Sequence, residues 1–151
     1  MSEQIIHRAA KEGDIAALKA ELATGVSIDL ASASASVWTP LVCAAAHGQL
    51  EAVKFLIEQK ATVDAEDNRK WTALHYACMS YQAQLVAAVL DGGADIDKLN
   101  GYGETGLMLA VGLKQPKSVK LLLERKADPT VKAPHGARKG QTAIDIAQAL
   151  E

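Results

Sequence analysis

The chain of 151 residues is long enough for a single domain, and 49% hydrophobic with 23% charged residues excludes the low-hydrophobicity class of disordered proteins. Sixteen Lys and Arg against 18 Asp and Glu give a formal net charge of −2, which provides no broad positive field for nucleic acid or an acidic membrane. We therefore expect one folded body, residues 1–151, with neither nucleic acid nor membrane as a partner.

The beginning of the chain indicates where the protein acts. Residues 1–8 contain no basic region followed by an apolar run, so we expect no secretory signal. No uninterrupted apolar stretch approaches the roughly 20 residues that a membrane helix requires. The expected location is therefore the cytoplasm.

Two cysteines, Cys43 and Cys78, lie in alanine-rich segments, where a small buried thiol is an ordinary core residue. No spacing of Cys and His residues matches a metal site or a disulfide framework. The sequence therefore predicts neither a metal nor a cofactor.

An internal repeat organises the chain from its start. Residues 6–10 align with residues 41–45 at a shift of 35 positions, so the N-terminus is a first unit without its leading turn. With offsets of 33, 33 and 37 residues, the triplet Thr-x-Leu or Thr-x-Ile recurs at Thr39, Thr72, Thr105 and Thr142. The last offset indicates a four-residue insertion. A period of tens of residues, kept in phase, is the signature of a stacked repeat protein.

A second landmark, a four-residue segment that begins with alanine, recurs in the same phase at Ala61, Ala94 and Ala127. The chain thus divides into about five units, approximately residues 1–33, 34–66, 67–99, 100–132 and 133–151. Glu21 takes the place that Leu56 has in unit two, and the last unit ends in Gln148 and Glu151. Polar residues at these places predict that the terminal units act as caps of a complete stack.

Each unit is predicted to form two helices. Thr39 is placed to cap a first helix, with Pro40 at the first helical position, where its missing N–H costs nothing. The first helices are expected near residues 40–46, 73–79 and 106–112. The second helices have apolar residues at helical spacing and are expected near residues 15–23, 50–58, 83–91 and 117–125. Leu74, in a first helix, is predicted to be a core residue.

The chain must reverse after each second helix, and this position favours a left-handed backbone. Gly25 and Gly93 stand there in two units, whereas Lys60 and Lys126 stand there in units two and four. In that conformation each lysine costs on the order of 1 kcal/mol relative to glycine. Units two and four are therefore expected to be less stable locally.

Residues 72–77, 92–97 and 119–123 carry a family resemblance. Together with the period of 33 residues, they make almost the whole chain resemble the ankyrin repeat. The resemblance implies an all-α solenoid of about five stacked helix-turn-helix units, with β-turn fingers at one edge. It also implies a concave surface, formed by the fingers and the first helices, that binds another protein.

The chain departs from the family pattern at several positions. The signature histidine is replaced by Val42 in unit two and by Met108 in unit four, while Tyr81 and Lys114 replace the glycine between the helices. His75 keeps the signature, and the resemblance implies a structural hydrogen-bonding role for it.

Aromatic residues are only 4% of the chain, so their positions are informative. Trp38 and Trp71 each precede a signature threonine by one residue. Because packed helices lie about 10 Å apart, we expect the two indoles to form a surface row on the fingers, with Tyr102 in the next finger. Such aromatic residues are favoured interface anchors. The alternative is that each indole only covers the finger beside it.

The resemblance places further residues on the fingers or on the inner helix face. The predicted partner-binding set consists of Trp38, His47, Arg69, Trp71, Met79, Tyr102, Glu104 and Leu113.

Other functions have weaker support in the sequence. G-x-S-x-G, phosphate-loop and H-E-x-x-H motifs are absent, and residues 101–106 occupy a turn of the repeat rather than a phosphate loop. The basic run 132–139 is interpreted as a solvated loop, with an acidic protein surface or phosphate as its alternative contact. A structural or self-associating spacer and a regulatory inhibitor subunit of an enzyme remain as alternatives. We expect a non-catalytic protein that is monomeric on its own.

Overall fold

The computed structural model describes residues 4–150, and within this range the chain folds into nine short α-helices. None of these helices combines the length and the hydropathy needed to cross a bilayer. In chain order the helices are α1 (Ile5–Glu12), α2 (Ile15–Ala23), α3 (Pro40–Ala46), α4 (Leu50–Glu58), α5 (Ala73–Met79), α6 (Ala83–Asp91), α7 (Gly106–Gly112), α8 (Pro116–Glu124) and α9 (Ala143–Gln148).

The helices form two parallel rows. The inner row is α1, α3, α5, α7 and α9, and the outer row is α2, α4, α6 and α8; each helix contacts its neighbours in its own row. Helices within a unit also pair, as α1 does with α2 and α3 with α4. The predicted all-α solenoid is therefore confirmed.

The last unit differs from the expected helix pair. Among residues 4–150 it contributes α9 alone, which packs on α7 and is followed only by residues 149 and 150. Gln148 at its end is exposed, as predicted for a cap. Glu151, also predicted to belong to the cap, lies outside the described residues.

The inner helices begin at the predicted threonines. The hydroxyl oxygens of Thr39, Thr105 and Thr142 accept hydrogen bonds from the backbone N–H groups three residues later, at 3.1–3.3 Å. These bonds satisfy donors that have no partner within the helix. The outer helices end close to the predicted bounds, although α8 begins at Pro116, one residue earlier, because proline fits the first helical turn.

The core repeats once per unit. Leu41, Leu74 and Leu107 occupy the same place on successive inner helices and are all buried, as are Leu56 and Leu122 on outer helices. A unit cannot bury these side chains alone, so the hydrophobic stabilisation arises between units. Leu74 is thus confirmed as a core residue.

Small residues let neighbouring inner helices approach closely. A Cβ atom on Gly106 of α7 would lie only 2.9 Å from Sγ of Cys78 on α5. Both Cys43 and Cys78 are buried, as predicted, and burial raises the pKa of Cys78 to about 12. Cys78 is therefore an unreactive packing residue.

The reversal after each outer helix adopts the left-handed conformation. Gly25 and Gly93 have φ of 89° and 93°, and Lys60 and Lys126 have φ of 70° and 69°. The conformation predicted for the two lysines is confirmed. Each has a Cβ that makes this conformation costly.

His75 joins the inner helix of unit three to the loop that follows α6. The backbone N–H of Thr72 donates to Nδ1 of His75 at 3.1 Å, and Nε2 donates to the carbonyl oxygen of Lys98 at 2.9 Å. The ring is therefore assigned as the neutral tautomer with its proton on Nε2. Burial is the main reason that the pKa of His75 is lowered. The structural role implied for His75 is seen in these bonds.

Candidate protein-binding surface

Four loops lead from one unit into the next inner helix, and one backbone hydrogen bond closes each of them. We call them finger 1 (32–38), finger 2 (67–71), finger 3 (100–104) and finger 4 (133–141). In each, the first residue donates to the carbonyl oxygen of the last, at 2.7–3.0 Å. Fingers 2 and 3 have equal length, whereas finger 1 is two residues longer and finger 4 is four residues longer. The insertion predicted from the 37-residue offset therefore lies in finger 4.

Neighbouring fingers are joined along one edge of the stack. The backbone N–H of Asn68 in finger 2 donates to the carbonyl of Ser36 in finger 1 at 3.3 Å, and Gly101 in finger 3 donates to that of Arg69 at 2.8 Å. Nε2 of His135 in finger 4 lies 3.1 Å from the carbonyl oxygen of Gly101. The fingers thus form a continuous surface rather than four separate loops.

Asp67 is the centre of a hydrogen-bond network in finger 2. Its Oδ1 accepts from the backbone N–H groups of Arg69 and Trp71 at 2.8 and 2.9 Å. Its Oδ2 accepts from the hydroxyl of Tyr76 at 2.6 Å and from Nε1 of Trp38 at 3.2 Å. One carboxylate therefore connects finger 1, finger 2 and α5.

This network determines the charge of Asp67. Burial by itself raises the pKa of a carboxyl group, but the hydrogen bonds from Tyr76, Trp71, Arg69 and Trp38 outweigh it. The pKa of Asp67 is therefore held below its ordinary value of 3.8. At neutral pH a charged carboxylate holds the finger in shape.

The two tryptophans do not form the exposed row that the sequence predicted. The ring of Tyr76 lies between them, with centroids 5.4 Å from Trp38 and 5.2 Å from Trp71. Trp71 also contacts the rings of His75 and Tyr102 and is only 7% exposed. The expectation that Trp71 lies at the surface is wrong, because rings from α5 and finger 3 cover it. Trp38 is half-buried.

The exposed part of this cluster is formed by Arg69 and Tyr102. The guanidinium of Arg69 lies 5.9 Å from the centre of the Trp71 ring and donates to the Tyr76 hydroxyl at 3.1 Å. Tyr102 is 49% exposed. Trp71 therefore supports an exposed cation and an exposed phenol without itself being presented to solvent.

Glu104 is held by an ion pair between fingers 3 and 4. Its Oε1 lies 2.7 Å from Nε of Arg138, and both side chains are partly buried. Arg138 belongs to the inserted loop, so the insertion neutralises the acid of the preceding finger.

The other predicted residues lie at the ends of the inner helices. His47 and Leu113 follow α3 and α7 directly, and Met79 is the last residue of α5. His47 is exposed and its ring packs 5.8 Å from that of Trp38, whereas Met79 is 41% exposed and Leu113 is half-buried. The structure thus brings His47 to the aromatic cluster and places Met79 and Leu113 on the helices of units three and four.

Tyr81 is an exposed aromatic residue that the predicted set did not include. It lies in the turn between α5 and α6 with φ of 60° and is 68% exposed. Gly13 and Gly48 occupy the equivalent turns with similar φ. The sequence shows a bulky side chain at a position suited to glycine, and this signal could have drawn attention to Tyr81.

Comparison with protein families agrees with this architecture. The family described as "Ankyrin repeats (3 copies)" matches residues 6–100 and 63–133. The chain belongs to the ankyrin-repeat family. Repeats of this family are generally protein-protein interaction modules, and the family is generally non-catalytic.

The chain spans only a small part of the length of the curated relatives that it matches. The chain is 33% identical to the transient receptor potential channel pyrexia of Drosophila melanogaster over 69% of its length, covering 11% of that protein. It is 31% identical to human ankyrin repeat and SOCS box protein 11 over 79% of its length, covering 36% of the relative. With human SH3 and multiple ankyrin repeat domains protein 2 it shares 29% identity over 92% of its length, covering 8%.

The departures from the ankyrin signature are accommodated by packing. Val42 and Met108 stand where His75 stands in unit three, and both are buried. An apolar side chain at this place fills the same space without needing the hydrogen bonds that His75 makes. Ankyrin units two and four therefore lack the polar link that unit three has through this residue.

Proposed function

We propose that this ankyrin-repeat chain is a non-catalytic module that binds a partner protein through its fingers and the ends of its inner helices. The observation that carries the proposal is the rigid, exposed edge at finger 2 and finger 3. Arg69 and Tyr102 are exposed there on a support of buried rings and the Asp67 carboxylate. Arg and Tyr held rigid lose little entropy on binding, which suits interface anchors.

The proposed contact residues fall into two groups. Arg69, Tyr102 and Tyr81, together with Met79, offer exposed area, whereas Trp71 and Glu104 hold their neighbours in place. The exposed His47 and the half-buried Trp38 and Leu113 complete the proposed surface. A partner segment that lies along this edge would contact units two to four.

The experiment is site-specific photo-crosslinking in the native cell extract, with a photoreactive phenylalanine analogue at position 102. Leu123 on outer helix α8 is a matched control position, because it is 43% exposed on the opposite row. We expect position 102 to capture a defined protein that position 123 does not capture. Equal capture at both positions, or capture only at 123, would contradict the proposed surface.

The affinity for the captured protein then tests individual residues. Replacing both Arg69 and Tyr102 with alanine is expected to weaken binding by at least about 2 kcal/mol, the range of interface hot spots. Binding is measured well below the melting temperature of the variant, because both side chains also pack on Trp71. Leu123→Ala should leave the affinity unchanged. Sedimentation of the purified chain tests the alternative of self-association, which would appear as a concentration-dependent increase in mass. Monomeric state and a cytoplasmic location stay predictions.

A further inference from the structure

A cavity of about 580 Å³ lies between finger 1 and α1, at the end of the stack away from the exposed Tyr102. Finger 1 contributes three hydroxyl groups to its wall, and α1 with the residue before it contributes polar groups from the other side. The residues that matter here are Gln4, His7, Lys11, Ser32, Ser34 and Ser36. We call this cavity the serine pocket.

The length of finger 1 accounts for the serine side of the pocket. This finger is two residues longer than fingers 2 and 3, and the serines alternate along it. The hydroxyl oxygen of Ser32 accepts from the backbone N–H of Trp38 at 2.9 Å and lies 2.8 Å from that of Ser34. The finger is therefore held in a defined shape around the cavity.

His7 forms the floor of the pocket and has an unused ring nitrogen. It is 2% exposed, and its Nε2 lies 2.8 Å from the carbonyl oxygen of Leu30 and 2.9 Å from that of Trp38. Carbonyl oxygens only accept hydrogen bonds, so Nε2 carries the proton. In the neutral ring Nδ1 is then an acceptor, and this buried atom has no hydrogen-bond partner among the residues that the structure describes.

In unit three, the histidine at the equivalent repeat position is His75, and its Nδ1 has a hydrogen-bond partner. There, Nδ1 of His75 accepts from the backbone N–H of Thr72 at 3.1 Å and lies 3.0 Å from its hydroxyl. Gln4 stands three residues before His7, as Thr72 does before His75, but its side chain makes no cap hydrogen bond. The side-chain oxygen of Gln4 is itself buried, and no group within residues 4–150 donates a hydrogen bond to it. The pocket thus contains two buried acceptors that a matching ligand would satisfy.

The charge of the pocket wall restricts the ligand further. Among residues 4–150 the lining contains no Asp or Glu, and the positive charge of Lys11 opposes a cation. An anion would meet the acceptor atoms of His7 and Gln4. The volume of the cavity lies within the range of small-molecule sites and is much larger than a single serine or threonine side chain could fill. A neutral molecule with several O–H donors fits these conditions, and the indole of Trp38 lines the same cavity as an apolar wall for its C–H groups.

We propose that the serine pocket binds a small neutral polyhydroxylated molecule, of a size between glycerol and a hexose. Its hydroxyl groups donate to Nδ1 of His7 and to the side-chain oxygen of Gln4, and exchange hydrogen bonds with the serines of finger 1. The lining of this pocket does not include Arg69 or Tyr102 of the proposed protein-binding surface, but it shares Trp38 and His47 with that surface.

The test is a titration of the ¹⁵N-labelled protein with glycerol, myo-inositol and D-glucose, followed by amide and histidine ring resonances. We expect saturable shifts confined to finger 1 and α1, together with a change at Nδ1 of His7. Inorganic phosphate and ethylammonium are the charged probes. If none of the three polyols causes a saturable shift, the pocket holds ordered water only and the proposal is wrong. Saturation by phosphate or ethylammonium without the polyols would also overturn it.

Gln4→Thr provides the decisive variant, because it supplies the residue that satisfies His75 in unit three. The new cap should occupy Nδ1 of His7, keep the fold intact and weaken polyol binding by about five-fold, the equivalent of one hydrogen bond. Gln82→Thr is the matched control, since Gln82 precedes α6 and also makes no side-chain cap bond. It should leave polyol binding unchanged. Equal polyol affinity in the Gln4→Thr variant and the unmodified protein would contradict the assigned role of Nδ1.

Discussion

Removing the carboxylate of Asp67 should destabilise the fingers that it connects. Two substitutions separate the contributions of its two oxygen atoms. Asp67→Ala removes both oxygen atoms and leaves three donors without their acceptor: two backbone N–H groups and the hydroxyl of Tyr76. Nε1 of Trp38 loses its bond to the carboxylate but keeps the hydroxyl oxygen of Tyr76, at 3.2 Å. Asp67→Asn keeps Oδ1 for the backbone groups. Unit four supports this, because Asn100 at the equivalent place accepts from the N–H groups of Tyr102 and Glu104 at 2.9 and 3.0 Å.

The magnitudes follow from the number of bonds lost. A hydrogen bond to a charged group contributes about 1.5–3 kcal/mol, but the half-buried Tyr76 and Trp38 regain some water once the carboxylate is gone. We therefore expect Asp67→Ala to lower the free energy of unfolding by about 3 kcal/mol and Asp67→Asn by about 1–2 kcal/mol.

Urea unfolding followed by tryptophan fluorescence measures both variants at pH 7. The difference between the unmodified protein and Asp67→Asn should also shrink as pH falls. The pKa of Asp67 is lowered in the folded state, so its contribution is present above the ordinary value of 3.8 and is lost below it. A loss under about 1 kcal/mol for Asp67→Ala, or equal losses for the two variants, would refute this account of the network.

Three further predictions concern the stability of the stack. Leu74→Ala should cost about 2–5 kcal/mol in urea unfolding, since Leu74 is fully buried between inner helices. Lys60→Gly and Lys126→Gly should each stabilise the protein by up to about 1 kcal/mol, because glycine adopts the observed positive φ without strain. The pKa of His75 is lowered by burial, so the protein should lose stability as pH falls below 6.5, in melting curves between pH 7.5 and pH 5.

Two of these predictions have an internal control. Lys54→Gly, inside α4, should destabilise by about 1 kcal/mol, and stabilisation there would show that the effect at Lys60 does not come from its φ. His75→Met places in unit three the residue that unit four has as Met108, and it should reduce the dependence of stability on pH. An unchanged pH dependence in this variant would assign it to another group. A loss under about 1 kcal/mol for Leu74→Ala would mean that the inner row is not its core environment.

The sequence alone was sufficient for the architecture, because the features that determine it are local and repeated. A threonine cap, a small-residue helix and an amphipathic helix recur every 33 residues, and a unit with one apolar side has to stack on its neighbours. The left-handed backbone at Lys60 and Lys126 was predictable as well, because these lysines stand at the repeat position that Gly25 and Gly93 occupy in other units. The insertion in the last unit was also visible, although not its position in finger 4.

Which aromatic rings reach the solvent was decided only by tertiary structure. Trp38 and Trp71 occupy the same repeat position, yet Trp38 is half-buried and Trp71 is covered by Tyr76 and Tyr102. Those rings come from α5 and from the next finger, so their positions depend on the stacking of units and not on the sequence around Trp71. The serine pocket also depends on tertiary structure. Finger 1, which is two residues longer than fingers 2 and 3, packs near His7 of α1, and glutamine instead of threonine stands three residues before this histidine. Whether a side chain is buried, and whether its polar atoms are hydrogen-bonded, depends on all the elements packed around it. A repeat pattern describes only one of these elements at a time.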